Sequence, residues 1–314
     1  MVEGKPVRLV FGEEIIRLAP QYDFIVCNAD TKCCALENFG KIFPEREISI
    51  GIAEQNLMGI ASGVASCGSK VLLSTYSIFA TLRACEQLRT YINYGNLNVT
   101  ILGTHAGLQT GSEGTSHTAI EDVAVLRTMA NMTIIQPFDD ISARLLAQKA
   151  LEFEGPLYVR LPFDALENVF EKESDYQIEI GKGIMARNDG DDVSLITSGA
   201  MVKATLEAAD LLSQQGIHAQ VLVLHTIKPL DYDAVLAAAE ATDAVVTVED
   251  HSVYGGLGGA VAEYLSDVHP CSIKRIGIQH LPIRSGNAKS LYRLHHMTAQ
   301  DIVKAASDAI KTKG

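Results

Sequence analysis

The sequence predicts an α/β protein of two domains, each a mostly parallel sheet flanked by helices. Two observations carry this prediction. Strand-like and helix-like runs alternate with short connections along 314 residues, a length that suits two domains of ordinary size. A charged, aperiodic stretch then interrupts the alternation. We therefore predict one domain over residues 1–170, a linker over 171–192 and a second domain over 193–314.

Two patterns of apolar residues predict the strands and helices of the first domain. Short apolar runs predict strands over residues 24–27, 71–74, 99–102, 133–136 and 157–160. Apolar residues at helical spacing between them predict helices near 54–66, 78–91, 120–128 and 141–152. Because this order with short connections favours parallel pairing, the strands should form one sheet that is covered on both faces.

The same alternation resumes in the second domain. Strands are predicted over residues 193–197, 219–224, 244–248 and 272–278. Helices are predicted over 201–215, 231–239, 257–268 and 299–312. Asp231 and Thr298 precede two of these helices and are expected to act as their N-caps.

Composition excludes several classes of function. A 47% apolar and 20% charged chain with a net charge of −12 is typical of a globular protein that binds neither nucleic acid nor an anionic membrane. No apolar run approaches the roughly 20 residues that span a bilayer. The six cysteines are scattered and lack zinc-ligand spacing. We therefore expect a cytoplasmic protein with reduced thiols and no metal ligands of its own.

One carboxylate, Glu54, stands out within an otherwise small or apolar run over residues 51–63. An extended segment precedes it and helical apolar spacing follows it, so Glu54 lies where a strand leads into a buried helix. A carboxylate there loses water and can share a proton with a ligand unless a partner neutralises it. It can equally be a helix-start carboxylate held by free N–H groups, and this window leaves both interpretations open.

Two aromatic residues and two histidines follow buried strands or loops. Tyr76 and Phe79 are close to one helical turn apart and can form a flat apolar wall, although core packing would explain them as well. His105 follows the carboxyl end of a predicted strand, which is where open α/β sheets bind ligands. His117 ends a glycine-rich loop over residues 111–117, which is long enough to cover a site.

These clusters, taken in order, resemble the pyrimidine-binding domain of transketolases, which use thiamine diphosphate. The resemblance rests on Gly-Ile-Ala-Glu-Gln-Asn at 51–56, Tyr-x-x-Phe at 76–79 and Glu-Gly-x-x-His-x-x-Ile-Glu at 113–121. It continues to Val-Glu-Asp-His-x-x-x-Gly-Gly at 248–256 and so covers nearly the whole chain. The resemblance implies a pyrimidine-binding domain followed by a linker and a transketolase C-terminal domain.

The resemblance also implies which residues meet the cofactor. The carboxylate that matches Glu54 hydrogen-bonds the pyrimidine N1′ atom and takes part in catalysis. The aromatic residue that matches Phe79 stacks on the pyrimidine ring, and Tyr76 extends the same wall. Arg83 belongs to the same motif run and is expected among the cofactor-binding residues.

The implied substrate side contains both histidines. His105 and His117 are expected to act in catalysis and to hydrogen-bond the sugar, with Glu113 standing where relatives usually have Asp. The arginine that matches Arg160 binds the sugar phosphate in relatives. The alternative for Arg160 is a surface ion pair. Relatives also carry a serine after an Ala-Asp pair, and here Lys32 is a candidate to replace it.

Half of a transketolase site is missing from this sequence. Full-length relatives begin with a domain whose Gly-Asp-Gly sequence and downstream Asn hold the diphosphate and its metal. The acidic glycine turn at residues 188–192 lacks that context. The resemblance therefore implies the C-terminal subunit of a split transketolase. A separate N-terminal subunit would bind the diphosphate and Mg²⁺ or another divalent metal, and the two would assemble as a dimer or heterotetramer.

The expected activity is transfer of a two-carbon ketol unit between sugar phosphates or related sugars. The alternatives are a 2-oxo-acid dehydrogenase β subunit, a 1-deoxyxylulose-5-phosphate synthase-like enzyme and a regulatory paralogue without activity. His105, together with Glu113 and His117, favours sugar chemistry. Retention of Glu54 and Phe79 argues against a regulatory paralogue. The glycine cluster at 255–259 favours close packing between domains or subunits over an anion site.

Overall fold

Six strands of the first domain form a parallel sheet. The computed structural model describes residues 4–29, 35–279 and 282–313. In chain order the strands are β1 (Ile25–Asn28), β2 (Glu47–Ser49), β3 (Val71–Tyr76), β4 (Val99–Ala106), β5 (Thr133–Ile135) and β6 (Leu157–Pro162). They pair in the spatial order β5-β6-β4-β3-β1-β2. Tyr76 at the end of β3 lies opposite Thr104 of β4, so His105 follows directly beside it.

The second sheet is also mostly parallel. The remaining strands are β7 (Ile184–Asn188), β8 (Val193–Thr197), β9 (Ala219–Val223), β10 (Thr226–Lys228), β11 (Ala244–Ser252) and β12 (Ser272–Ile278). Five of them pair in the order β12-β11-β8-β9-β7, and only β7 runs antiparallel to its neighbour. The predicted fold class of two mostly parallel α/β domains is therefore confirmed.

Two strands were not predicted, and both concern the domain border. β7 lies inside the range that we assigned to the linker and forms an edge of the second sheet. β10 leaves the second domain and pairs antiparallel with β5, so it becomes an edge strand of the first sheet. The domain bounds at 170 and 193 stay a prediction. Each sheet includes one strand from outside its predicted domain, which is β10 in the first sheet and β7 in the second.

The helices cover both faces of the two sheets. In the first domain they are α1 (Val7–Leu18), α2 (Phe39–Ile42), α3 (Glu54–Ser66), α4 (Cys85–Gln87), α5 (Asp122–Arg127) and α6 (Asp140–Glu152). In the second they are α7 (Val202–Gln214), α8 (Tyr232–Thr242), α9 (Leu257–Val268), α10 (Ala288–Leu294) and α11 (Ala299–Lys311). The side chains of Asp231 and Thr298 accept hydrogen bonds from the first turns of α8 and α11, which confirms both N-caps.

The predicted helix over residues 78–91 has a different backbone. It consists of two π-helical segments, Phe79–Arg83 and Leu88–Asn93, with α4 between them. A π-helical turn inserts an extra residue and rotates the side chains that follow, which is why such turns often occur at functional sites. Here the first π-helical segment carries both Phe79 and Arg83.

Two apolar clusters cross the border between the domains. One joins Leu57 of α3 and Tyr158 of β6 to Ile196, Leu222 and Val235 of the second domain, all of them buried. The other joins Phe138 of the first domain to Leu195 of the second. Because the apolar core is continuous, the second domain is held against the first rather than tethered by a linker alone. No helix in the described ranges has the length and apolar character required to cross a membrane.

Candidate active site

Glu54 is the first residue of α3, and its buried carboxylate is only half satisfied. The residue is 1% exposed, and its Oε2 atom accepts a hydrogen bond from Arg83 Nη1 at 2.9 Å. Its Oε1 atom is buried and has no hydrogen-bond partner among the described residues. A buried acceptor without a partner is costly, so this atom is suited to receive a donor from a ligand.

Our interpretation of Glu54 depended on whether a charged partner lies next to its carboxylate, and Arg83 is such a partner. The π-helical segment places its guanidinium 3.9 Å from the centre of the Phe79 ring, over the ring face. One cation thereby pairs with the carboxylate and stacks on the aromatic residue at the same time. Arg83 thus offsets part of the cost of burying the Glu54 charge and links the acid to the aromatic wall.

The predicted aromatic wall is present and extends further than expected. The rings of Tyr76 and Phe79 are stacked, with centres 5.7 Å apart and an angle of 5° between their planes. His105 stacks on Tyr76 with centres 3.9 Å apart. His117 meets both rings edge-on, at 5.1 Å from Phe79 and 5.8 Å from Tyr76. These four rings therefore form one surface beside Glu54.

His105 has a strained backbone and a neutral, buried imidazole. Its φ of +58° lies in the left-handed region, which residues other than glycine rarely adopt, and such strain clusters at functional sites. Burial, together with the positive charge of Arg8 and the nearby His117, lowers the pKa of His105 to about 3. Its Nδ1 atom lies 2.9 Å from Thr104 Oγ1, and its buried Nε2 atom lacks a partner in the described ranges.

The glycine-rich loop brings Glu113 and His117 to the same surface. His117 Nδ1 lies 2.9 Å from Ser116 Oγ, and His117 Nε2 lies 3.9 Å from Glu113 Oε2. Both side chains are about one-third exposed. Gly111 and Gly114 have φ values of +64° and +74°, so the path of this loop depends on glycine at both positions.

Arg160 does not lie where its predicted role requires. The side chain is 2% exposed, and its Nε and Nη2 atoms donate to the Asp122 carboxylate at 2.8 and 3.2 Å. Nη2 also donates to the carbonyl oxygens of Ala119 and Asp250. Because these partners surround a buried guanidinium, Arg160 is not placed to bind a sugar phosphate. Arg160 does not form a surface ion pair either. Both expectations are therefore corrected, and Arg160 has a structural role between the domains.

A different arginine lies beside the site and was missed. Arg8 of α1 is 7% exposed, donates to the Phe163 carbonyl oxygen and lies 4.1 Å from the centre of the Phe163 ring. That ring is 4.6 Å from His105. The only signal in the sequence is an arginine set among the apolar residues of α1, a helix that we did not predict. Lys32 lies outside the described residues.

The glycine cluster serves close packing, as expected. A Cβ atom on Gly255 would approach Ala124 Cβ of the first domain to 2.7 Å, and one on Gly256 would come within 2.0 Å of Glu249 Oε2. The N–H groups of Leu257 and Gly258, which begin α9, already donate to the Glu249 carboxylate at 2.7 and 2.8 Å. The start of α9 is therefore occupied by an internal carboxylate.

The inner part of the site is buried, because Glu54, His105 and Tyr76 are each at most 9% exposed. A cleft of about 380 Å³ lies elsewhere and is lined by residues that include Cys85, Arg89, Tyr94 and Met129. In the ranges that the structure describes, no group of three or more His, Cys, Asp or Glu side chains is arranged to hold a metal ion. Solvent reaches the site at Arg83, Glu113 and His117, whose side chains are about one-third to one-half exposed.

Comparison with known proteins agrees with this geometry. Residues 4–168 match the family model of the transketolase pyrimidine binding domain, and residues 181–302 match the transketolase C-terminal domain. A protein of Methanocaldococcus jannaschii described as "Putative transketolase C-terminal section" is 39% identical over 98% of this chain and 97% of its own length. A 6-deoxy-6-sulfo-D-fructose transketolase subunit of a Clostridium species is 34% identical over 98% and 95%. A solved split-gene transketolase, an inactive beta4 tetramer, is 38% identical with a TM-score of 0.90, over 99% of this chain and 100% of that one.

Proposed function

Because this chain belongs to the transketolase family, we propose that it is the C-terminal subunit of a two-chain, thiamine diphosphate-dependent transketolase. The reaction would move a two-carbon ketol unit from a donor to an acceptor sugar. The observation that carries this proposal is the unpartnered Oε1 atom of Glu54, buried beside the wall of Tyr76 and Phe79.

The residues present suit the pyrimidine end of this cofactor. An aminopyrimidine is flat and aromatic and carries ring nitrogens, so it needs a stacking surface and a buried polar atom within reach. Phe79 and Tyr76 offer the surface, and Glu54 offers the polar atom. When bound, thiamine diphosphate supplies the carbon nucleophile that carries the ketol unit.

The chain's own residues then have defined tasks. Glu54 Oε1 forms the hydrogen bond to the ring and shares a proton with a ring nitrogen, while Arg83 keeps the carboxylate in place through Oε2. His105 is neutral at physiological pH and so can donate or accept a hydrogen bond at Nε2. His117 and Glu113 extend this surface on the solvent side, where a sugar would enter.

Two relatives support a partner subunit. One, which matches 98% of this chain, is named a transketolase C-terminal section. A relative that this chain matches over its full length is a beta4 tetramer and is described as inactive. We propose that an N-terminal subunit covers the site, brings the diphosphate-binding residues and the divalent metal, and joins this chain in a heterotetramer.

The substrate is proposed to be a sugar with an anionic end. Arg8 lies close enough to His105 to help lower the pKa of that histidine. This places one positive charge near His105. The sulfonated sugar in the name of the Clostridium relative shows that the anion need not be a phosphate in this family.

Calorimetric titration of thiamine diphosphate with Mg²⁺ tests the proposal. We expect tight binding only when the N-terminal partner is present, and Glu54→Gln should weaken it by about 10- to 100-fold, the effect of one charged hydrogen bond. Glu249→Gln is the matched control, because Glu249 is also a buried carboxylate at a helix start but is fully paired. Tight binding by this chain alone would refute the two-chain site, and unchanged binding by Glu54→Gln would refute the role of Glu54.

A further inference from the structure

The loop over residues 107–120 carries Glu113 and His117, and the second domain holds it at its beginning, middle and end. We infer that the second domain positions the substrate side of the site, Glu113 and His117, through this loop. None of the site residues described above comes from the second domain itself. Asp250 is the principal positioning residue. The inference rests on the proposed function for the identity of the substrate side, but the contacts themselves do not depend on it.

Asp250 of β11 holds the beginning of the loop. Its Oδ1 and Oδ2 atoms lie 3.0 and 3.1 Å from the backbone nitrogen of Leu108, which donates to the carboxylate. The Tyr292 hydroxyl donates to Oδ2 at 2.8 Å and fixes the carboxylate from the other side. A Cβ atom on Gly107 would come within 2.2 Å of Oδ2, so only glycine allows the loop to approach this closely.

A segment of the second domain, residues 282–287, holds the middle of the loop. The Thr115 hydroxyl donates to the Ile283 carbonyl oxygen at 2.8 Å, and Gly286 N donates to the Gly111 carbonyl oxygen at 3.3 Å. A Cβ atom on Gly114 would lie 2.6 Å from Ser285 Oγ. Glu113 thus lies between two backbone positions that both contact this segment.

The end of the loop is held by Arg160 and by β11. Arg160 Nη2 donates to the Ala119 carbonyl oxygen at 3.1 Å and to the Asp250 carbonyl oxygen at 3.0 Å, so it bridges the loop and β11. Ser252 N donates to the Ile120 carbonyl oxygen at 2.9 Å. These bonds are buried or nearly so and fix the loop on both sides of His117.

The two halves of the site therefore depend on different supports. Glu54, Arg83 and Phe79 are held by α3 and the π-helical segment of the first domain. The loop that carries Glu113 and His117 depends in addition on contacts to the second domain, at Asp250, Ile283 and Ser252. Because a displacement of about 1 Å can lower a rate by roughly 100-fold, loosening these contacts should impair sugar turnover far more than cofactor binding.

Two variants test the inference in the assembled two-chain protein. Thr115→Val removes the hydroxyl bond to Ile283 at a surface position, and Thr115→Ser keeps it and should restore wild-type behaviour. Asp250→Asn weakens the hold on Leu108. The matched controls are Thr128→Val, whose hydroxyl bonds only within its own helix end, and Glu249→Gln, the neighbour of Asp250 that faces α9.

Hydrogen exchange of the amides at 107–120 is measured together with the kcat/KM for the sugar and the Kd for thiamine diphosphate. We expect loop exchange to rise roughly tenfold in both variants. The kcat/KM for the sugar should fall about 10- to 100-fold, while the cofactor Kd stays within about twofold. Unchanged loop exchange, or equal losses of sugar and cofactor binding, would overturn the inference. Hydrogen exchange of the loop is measured without cofactor. It therefore tests the loop contacts even if the chain binds no thiamine diphosphate, a result that would refute the proposed function and not this inference.

Discussion

Replacement of Asp122 by Asn should be among the most destabilising single changes between the domains. The Asp122 carboxylate accepts from Arg160 at 2.8 and 3.2 Å and from the Tyr158 hydroxyl at 2.7 Å, with all three residues buried. Burial alone would raise the pKa of Asp122, but the charge of Arg160, followed by His251, lowers it below the ordinary value. The variant therefore leaves a buried cation without its counter-charge.

The magnitude follows from the burial of both partners. Removing one member of a buried ion pair costs about 3–5 kcal/mol of unfolding free energy. Because Arg160 keeps its bonds to two carbonyl oxygens, we expect the lower end, about 3 kcal/mol. Removing both charges with Asp122→Leu and Arg160→Met should cost less than the single change, since no charge is then left unpaired.

Urea unfolding at pH 7, followed by circular dichroism, measures these free energies. The control is Glu263→Gln, which breaks the ion pair with Arg127 at a position where Glu263 is 67% exposed and should cost at most about 1 kcal/mol. In acid, the stability from Asp122 is present above the ordinary Asp pKa and is lost as the pH falls through its lowered value. A cost below about 1 kcal/mol for Asp122→Asn, or an equal cost for the double variant, would refute the reasoning.

Three further predictions concern Gly255, Glu249 and His117. Gly255→Ala should lower the free energy of unfolding by about 1–3 kcal/mol more than Gly216→Ala does. Both glycines have positive φ, but an added Cβ atom meets a neighbour, Ala124, at position 255 and none at position 216. Equal losses in urea unfolding would exclude this steric cause. Burial raises the pKa of Glu249 from 4.5 to about 7, so stability should fall as the pH rises through this range. Glu249→Gln should remove about 2–3 kcal/mol of the difference in unfolding free energy between pH 5 and pH 8, and an unchanged difference would contradict the shift. His117→Ala should raise the sugar KM more than the cofactor Kd in steady-state and titration assays, and equal losses would place His117 outside the substrate side.

Local sequence patterns were sufficient for much of the fold. The order of strands and helices, and the caps at Asp231 and Thr298, depend on residues that are close together in the chain. The proximity of Tyr76 and Phe79 was predicted for the same reason, while their role toward a cofactor stays a prediction. Glu54 lies in a single strand-to-helix junction, and Tyr76 and Phe79 follow one strand end.

The errors concern residues whose partners are distant in sequence. Arg160 has a side chain suited to phosphate, but in the folded chain it binds Asp122 of its own domain and the carbonyl of Asp250 of the second domain. β10 is three residues long and is a strand only because β5 offers it an open edge. Arg8 meets Phe163 across more than one hundred and fifty positions, in a helix whose apolar pattern we did not recognise.

The pairing of β10, a strand of the second half of the chain, with the first sheet has a consequence for gene fragments. A fragment that ends in the predicted linker would encode the first sheet without β10, and the backbone of β5 would be left as an unpaired edge. Such an edge is a template for pairing with other chains, which favours aggregation over solubility. Recombination that swaps C-terminal halves between relatives must therefore carry a strand that fits the first half, so the two halves are expected to evolve as one unit.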